Sequence, residues 1–137
     1  METSLTAKRR GEAAEAAFLE RAICRGLTLA QPWGDSAPFD FIVIGERHLH
    51  RVQVKSVRTQ NPRHASYHVG VGRGQHRKLA YSAREIDFLV VLVAPLGAWY
   101  IIPVRALGGR KTLRLGSEHP QSRRLFEPYR EAWSLLT

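Results

Sequence analysis

Two short apolar runs joined by a tight turn constrain this chain more than anything else in it. Residues 39–44 (FDFIVI) and 49–57 (LHRVQVKSV) read as two strands, with Gly45-Glu46-Arg47-His48 between them. Aromatic and β-branched residues dominate the first run, and apolar and polar residues alternate in the second. A two-residue loop at Glu46 and Arg47 sets Asp40 opposite Gln53, because the two positions are symmetric about that loop. Directly opposed residues share a face, with Cβ atoms ~5 Å apart. Lys55 lies two residues beyond Gln53 and points the same way. The pairing therefore gathers a carboxylate, an amide and an amine. A slip of one residue would disperse them, so everything read from this hairpin depends on its register.

The remaining elements follow from periodicity and breakers. Residues 4–25 read as one alanine-rich helix, capped by Ser4 or Thr6 and stopped by Gly26. Phe18, Leu19, Ala22 and Ile23 gather on its apolar side, and Glu15 falls in the middle of that sector. An acid facing a core must be paired, protonated or bound to a metal. Leu27–Ala30 forms a short strand, and 31–38 is a loop broken by proline and glycine. The polar stretch 58–74, with Gly70, Gly72 and Gly74, is partly strand and partly loop. Gln75–Tyr81 is expected as a short helix, and Ile86–Ala94 and Trp99–Val104 as strands around a Pro95-Leu96-Gly97-Ala98 turn. Leu125, Phe126, Tyr129, Trp133 and Leu136 recur at helical spacing and predict a C-terminal amphipathic helix. The order implies an α/β layer with helices on the sheet, in one domain spanning 1–137.

Charge narrows the partners. Twenty-one Lys and Arg stand against 12 Asp and Glu, a formal net charge of +9. The cations are not spread evenly. From Arg47 through Arg84 there is no acid, and that segment holds nine cations. Such a field suits phosphate, so nucleic acid is the expected partner. Arg58, Arg63, Arg73, Arg77 and Lys78 are the candidate phosphate contacts. No apolar run approaches the ~20 residues that span a bilayer. The lone Cys24 excludes an intrachain disulfide and reads as a small packed side chain. With no signal-peptide core at 1–5, the expected compartment is the cytoplasm.

These residues suit phosphodiester hydrolysis. That reaction needs an activated water and neutralisation of charge on the pentacovalent phosphorus, which a divalent ion on hard oxygen ligands supplies. Glu15 and Asp40 offer two carboxylates, Gln53 its side-chain carbonyl and Val54 its backbone carbonyl. Lys55 is placed to orient or deprotonate water, or to stabilise the transition state. Mg²⁺ is the expected ion, and Mn²⁺ fits the same ligands. The six histidines show no zinc spacing, and Gly70, Gly72 and Gly74 lack the context of a dinucleotide fingerprint.

The pattern resembles the PD-(D/E)xK nuclease superfamily. Gly11-Glu12-Ala13-Ala14-Glu15 is similar to the G-x-x-x-E helix of archaeal Holliday-junction resolvases. Pro38-Phe39-Asp40 resembles the Pro-Asp element with one residue inserted, and Gln53-Val54-Lys55 stands where (D/E)-x-K is usual. Tyr100–Val104 resembles a late strand of the same small nucleases. The likeness implies a restriction-endonuclease-like mixed central sheet flanked by helices. It implies a Mg²⁺-dependent DNA endonuclease, acting on duplex or branched DNA as a homodimer or higher homo-oligomer. Gln53 is the departure: an amide replaces the usual acid, as in a branch that includes homing endonucleases. The alternative is a nucleic-acid-binding protein on a nuclease scaffold that has lost catalysis. A further alternative is an RNA-binding domain in which Asp40 and Lys55 merely form a cross-strand ion pair.

Overall fold

The computed structural model describes residues 4–63, 65–74, 78–116 and 125–137. One α-helix, α1 (Ala7–Cys24), is followed by β1 (Thr28–Ala30), β2 (Phe41–Ile44) and β3 (Leu49–Val57). Two small antiparallel pairs come from β4 (Tyr67–Gly70), β5 (Gly72–Arg73), β6 (Leu79–Ala80) and β9 (Thr112–Leu115), joined as β4–β9 and β5–β6. β7 (Phe88–Val93) and β8 (Ala98–Pro103) complete a five-stranded sheet of order β1-β2-β3-β7-β8. β3 and β7 run parallel and the other neighbours antiparallel, so the sheet is mixed.

The alternation of β7 and β8 divides the core. Phe88, Val90, Trp99 and Ile101 pack with Val52, Val54 and the Ala14, Phe18 and Ala22 face of α1. Leu89, Val91, Tyr100 and Ile102 pack on the opposite face with residues of β4, β9 and the 3₁₀ turn after β8. A strand buried on both faces has to be apolar throughout, which is why residues 88–93 read as FLVVLV.

The β2–β3 turn sets the register. Ile44 pairs with Leu49, and Gly45 N–H donates to the His48 carbonyl at 2.9 Å. A Cβ at Gly45 would lie 2.9 Å from the His48 oxygen and 3.1 Å from the Thr137 backbone, so only glycine fits. The predicted symmetry holds, but β2 starts at Phe41 rather than at residue 39. β2 is therefore four residues long against nine in β3, and the far half of β3 has no β2 partner.

Several expected elements differ. The C-terminal helix is instead two 3₁₀ turns, Glu127–Tyr129 and Trp133–Leu136. Glu131 interrupts them at φ +52 because it caps the exposed edge of β8. Its backbone N–H donates to the Trp99 carbonyl at 2.7 Å, and its carboxylate accepts from Trp99 N–H and Trp133 Nε1–H. The periodic aromatics divide between the two faces, Phe126 on one and Trp133 on the other. Residues 78–81 carry a strand, not the expected helix, and 75–77 lie outside the described residues. Cys24 is exposed rather than packed, because it falls on the outer side of the last turn of α1.

Asp87, just before β7, ties that strand to β3. Its carboxylate accepts from the Arg51 backbone N–H at 2.7 Å and from Nε and Nη2, each at 3.1 Å. The Arg51 guanidinium also donates to the Ala83 and Arg84 carbonyls. Burial pushes the Asp87 carboxyl up, but the hydrogen bonds and charge of Arg51 outweigh it and hold the group below its usual 3.8. For a carboxylate held low, the stabilisation is present above the usual value and lost as pH falls below it. Asp87→Asn is expected to lower stability by about 1–2 kcal/mol at neutral pH, allowing for partial exposure of the pair. The gap should be narrower at pH ~2 than at neutral pH, because protonation of Asp87 removes its charge from the pair. Urea unfolding at the two pH values checks it; an equal gap at both would refute the assignment.

Candidate active site

Where β2 ends, the ladder slips and Asp40 takes over from it. Asp40 N–H donates to the carbonyl of Val52, which is paired with Phe41. The Asp40 carboxylate oxygen Oδ2 then accepts the Val54 N–H at 2.8 Å. A side chain has replaced the next backbone rung. Asp40 is thus not a strand residue opposed to Gln53, as the symmetry alone predicts. It enters from beyond the strand end, which the inserted Phe39 and the loop before it permit.

This arrangement opens a notch between β2 and β3. In a strand, the N–H and C=O of one residue project from the same edge. Because the Val54 N–H faces Asp40, the Val54 carbonyl faces the notch as well. Gln53 and Lys55 pair with Leu89 and Val91 of β7 and so lie on the sheet face away from α1. α1 lies on the other face, packed on β3. Glu15 reaches Asp40 from that side. The two faces meet only at the notch, in a cleft of about 340 Å³. Glu15, Asp40, Gln53, Val54, Lys55 and Arg10 all line it.

The electrostatics follow from this meeting. The Glu15 carboxyl is pushed up to about 7, first by burial, then by its hydrogen bond to Asp40 and by the charges of Asp40 and Glu12. The two carboxyls form the site's negative end. Burial pulls the Lys55 ammonium below the usual lysine value; the Asp40 carboxylate opposes this and Lys78 adds to it. Tyr81, buried on the same face, is pushed up to about 12 by burial and by the charges of Asp40 and Glu85. Its phenol is therefore neutral at working pH. Among the described residues no three His, Cys, Asp or Glu side chains gather as a metal cluster. Gln53, an amide, occupies the position where a third acid would stand.

The expected phosphate contacts scatter. Arg58 lines a groove that adjoins the cleft. Arg63 is exposed in the loop after β3, where its N–H donates to Asn61 Oδ1. Arg73 is ion-paired with Glu85 at 2.5 Å. Lys78 crosses Gly72 of the β5–β6 pair, where a Cβ would come within 2.9 Å of its own. Arg77 lies outside the described residues. Two cations of the acid-free segment, Arg51 and Arg73, are neutralised by acids that lie beyond it in sequence. Sequence reasoning overlooked Arg10 and Tyr81. Arg10 sits five residues before Glu15 in an exposed first turn and carries no pattern of its own. Tyr81 fell in a segment read as helix.

The raised Glu15 carboxyl predicts a stability cost at high pH. An acid raised in the folded state loses stability as pH climbs from its usual 4.5 through about 7. Glu15→Gln is therefore expected to melt several degrees above the unmodified protein at pH 8 without metal, and no higher at pH 5. Calorimetric melting in chelator tests it. A lower melting temperature at pH 8 would mean that the Glu15 carboxylate is structurally paired.

Comparison with known proteins sets this geometry in context. Residues 5–136 match a family described as PD-(D/E)XK endonuclease. The solved structure of a bacterial homing endonuclease, I-Ssp6803I, is 29% identical with a TM-score of 0.79. The match covers 96% of this chain and 93% of that one. MepB is 14% identical with a TM-score of 0.47, over 84% of this chain and 94% of that one. No curated protein matches the chain in sequence.

Proposed function

The chain belongs to the PD-(D/E)XK endonuclease family, and from that premise we propose that it hydrolyses DNA phosphodiester bonds with a divalent metal ion. One observation carries the reading: a helix carboxylate, a loop carboxylate, an amide and an amine from four chain positions converge in one cleft. The donors are all hard oxygens, as Mg²⁺ or Mn²⁺ requires. They fit a cation on a second ground. Burial and Asp40 push the Glu15 carboxyl up to about 7, and a positive charge in the cleft would lower it again.

When bound, the ion neutralises charge on the pentacovalent phosphorus and lowers the pKa of its water. Glu15, Asp40, Gln53 and the Val54 carbonyl would hold it. Asp40 Oδ2 is fixed by the Val54 N–H. Lys55, half-buried beside Asp40, orients the attacking water and faces the developing charge. The substrate is DNA, duplex or branched. Arg58, Arg63 and Lys78 contact its backbone, while Arg73 is engaged by Glu85. One cleft cuts one strand, so cutting both calls for a homodimer or a larger symmetric assembly. The likeness to a homing endonuclease supports a defined target site.

Plasmid nicking in Mg²⁺ tests the proposal. Lys55→Ala should lower nicking at least ~100-fold with DNA binding within a few fold. Retained nicking by Lys55→Ala would sink the mechanism. Intact plasmid with the unmodified protein, alongside tight salt-sensitive binding, would select a non-catalytic DNA-binding role. Gln53→Glu should bind Mg²⁺ more tightly by titration calorimetry; unchanged affinity would remove Gln53 from the ligands.

A further inference from the structure

The catalytic cleft does not end at its acids. Beside it runs a larger groove of about 920 Å³, lined by Arg10, Ser56 and Arg58 together with Leu5, Val57 and Thr59. Arg10 and Ser56 line both spaces, so the two are continuous. Their charges are segregated. Both carboxylates, Glu15 and Asp40, line the cleft, and no acid lines the groove.

The groove's two arginines are also not among those that the described residues neutralise. Arg9, Arg51, Arg73 and Arg130 are each paired with an acid. Neither Arg10 nor Arg58 has an acidic partner among the described residues. Arg10 is nonetheless held: its Nη1 donates to the Leu5 carbonyl at 2.6 Å, which folds the guanidinium back along the first turn of α1. One donor edge is satisfied and the rest are left for an anion. A guanidinium is well suited to this, since its planar fork matches a phosphate's oxygens.

We infer that this groove binds the DNA strand flanking the cut, with Arg10 holding the phosphate next to the scissile one and Arg58 holding one further along. The inference rests on the nuclease reading above and adds to it a strand path across the N-terminal turn of α1. Arg10 acts here as a positioning residue. It holds a neighbouring phosphate so that the scissile one sits at Glu15 and Asp40, and it does not contact the reacting atoms.

The test uses the full chain and a short blunt DNA duplex of mixed sequence, with binding followed by anisotropy in chelator across a salt series. Arg10→Ala and Arg58→Ala should each weaken binding roughly tenfold at low salt and reduce the slope of log K against log[salt] by about 1. Arg10→Lys should keep the slope, because the charge remains. Mn²⁺ binding by calorimetry and the melting temperature should match the unmodified protein in all three. Unchanged slopes in both alanine variants would overturn the strand path. Loss of Mn²⁺ binding or of melting temperature in Arg10→Ala would overturn its role as a phosphate contact. Failure of the unmodified protein to nick plasmid would count against the enzymatic reading alone, since the salt slopes still decide whether the groove holds DNA.

Discussion

The hydrogen bond from the Val54 N–H to the Asp40 carboxylate is the contact on which the site depends. It ends the β2–β3 ladder with a side chain instead of a backbone rung. That substitution fixes Asp40, turns the Val54 carbonyl toward the notch and leaves the far edge of β3 uncovered. A longer β2 would satisfy the same N–H with a carbonyl and close the notch. The short β2 is thus a condition of the site, and the turn glycine that sets its register belongs to the same condition.

The notch also explains how groups from opposite sheet faces come together. Gln53 and Lys55 stand on the face covered by β4–β6 and β9, and Glu15 arrives from the helix face. Only at an edge can both reach one space. An edge strand is ordinarily a hazard, because its unpaired backbone groups template further pairing. Here the exposed stretch is short and one of its N–H groups is taken by Asp40. The cost appears in the charges, since Glu15 and Asp40 are held close and the Glu15 carboxyl is pushed up to about 7.

Much of this was legible in the residues. The hairpin symmetry placed Asp40, Gln53 and Lys55 in one neighbourhood, because turn chemistry and strand period are local rules. Glu15 was marked by its position on an apolar helix face. What escaped reading was tertiary. Glu131 breaks the C-terminal helical pattern to cap β8, a demand that arises only once β8 is an edge. Nor does an acid-free run in sequence amount to an acid-free surface: Glu85 and Asp87 follow the run closely and neutralise Arg73 and Arg51 across the fold. The cations available to the proposed DNA substrate are those the fold leaves without an acid among the described residues, and Arg10 is one that lies outside the run altogether.

Gln53 now has a physical context. A third carboxylate at that position would face Asp40 across the notch, beside a Glu15 already pushed up to about 7. In the metal-free protein, a further negative charge would raise the repulsion that Glu15 and Asp40 already carry. An amide keeps the oxygen and omits the charge. The same choice leaves Lys55 with Asp40 as the one carboxylate drawing its charge upward, against burial and Lys78, and its ammonium stays below the usual value. Replacing the family acid by Gln53 therefore eases the metal-free fold; in the proposed metal site it would also weaken the pull on the ion, so its effect on activity would depend on how much of the notch's repulsion the ion has to relieve.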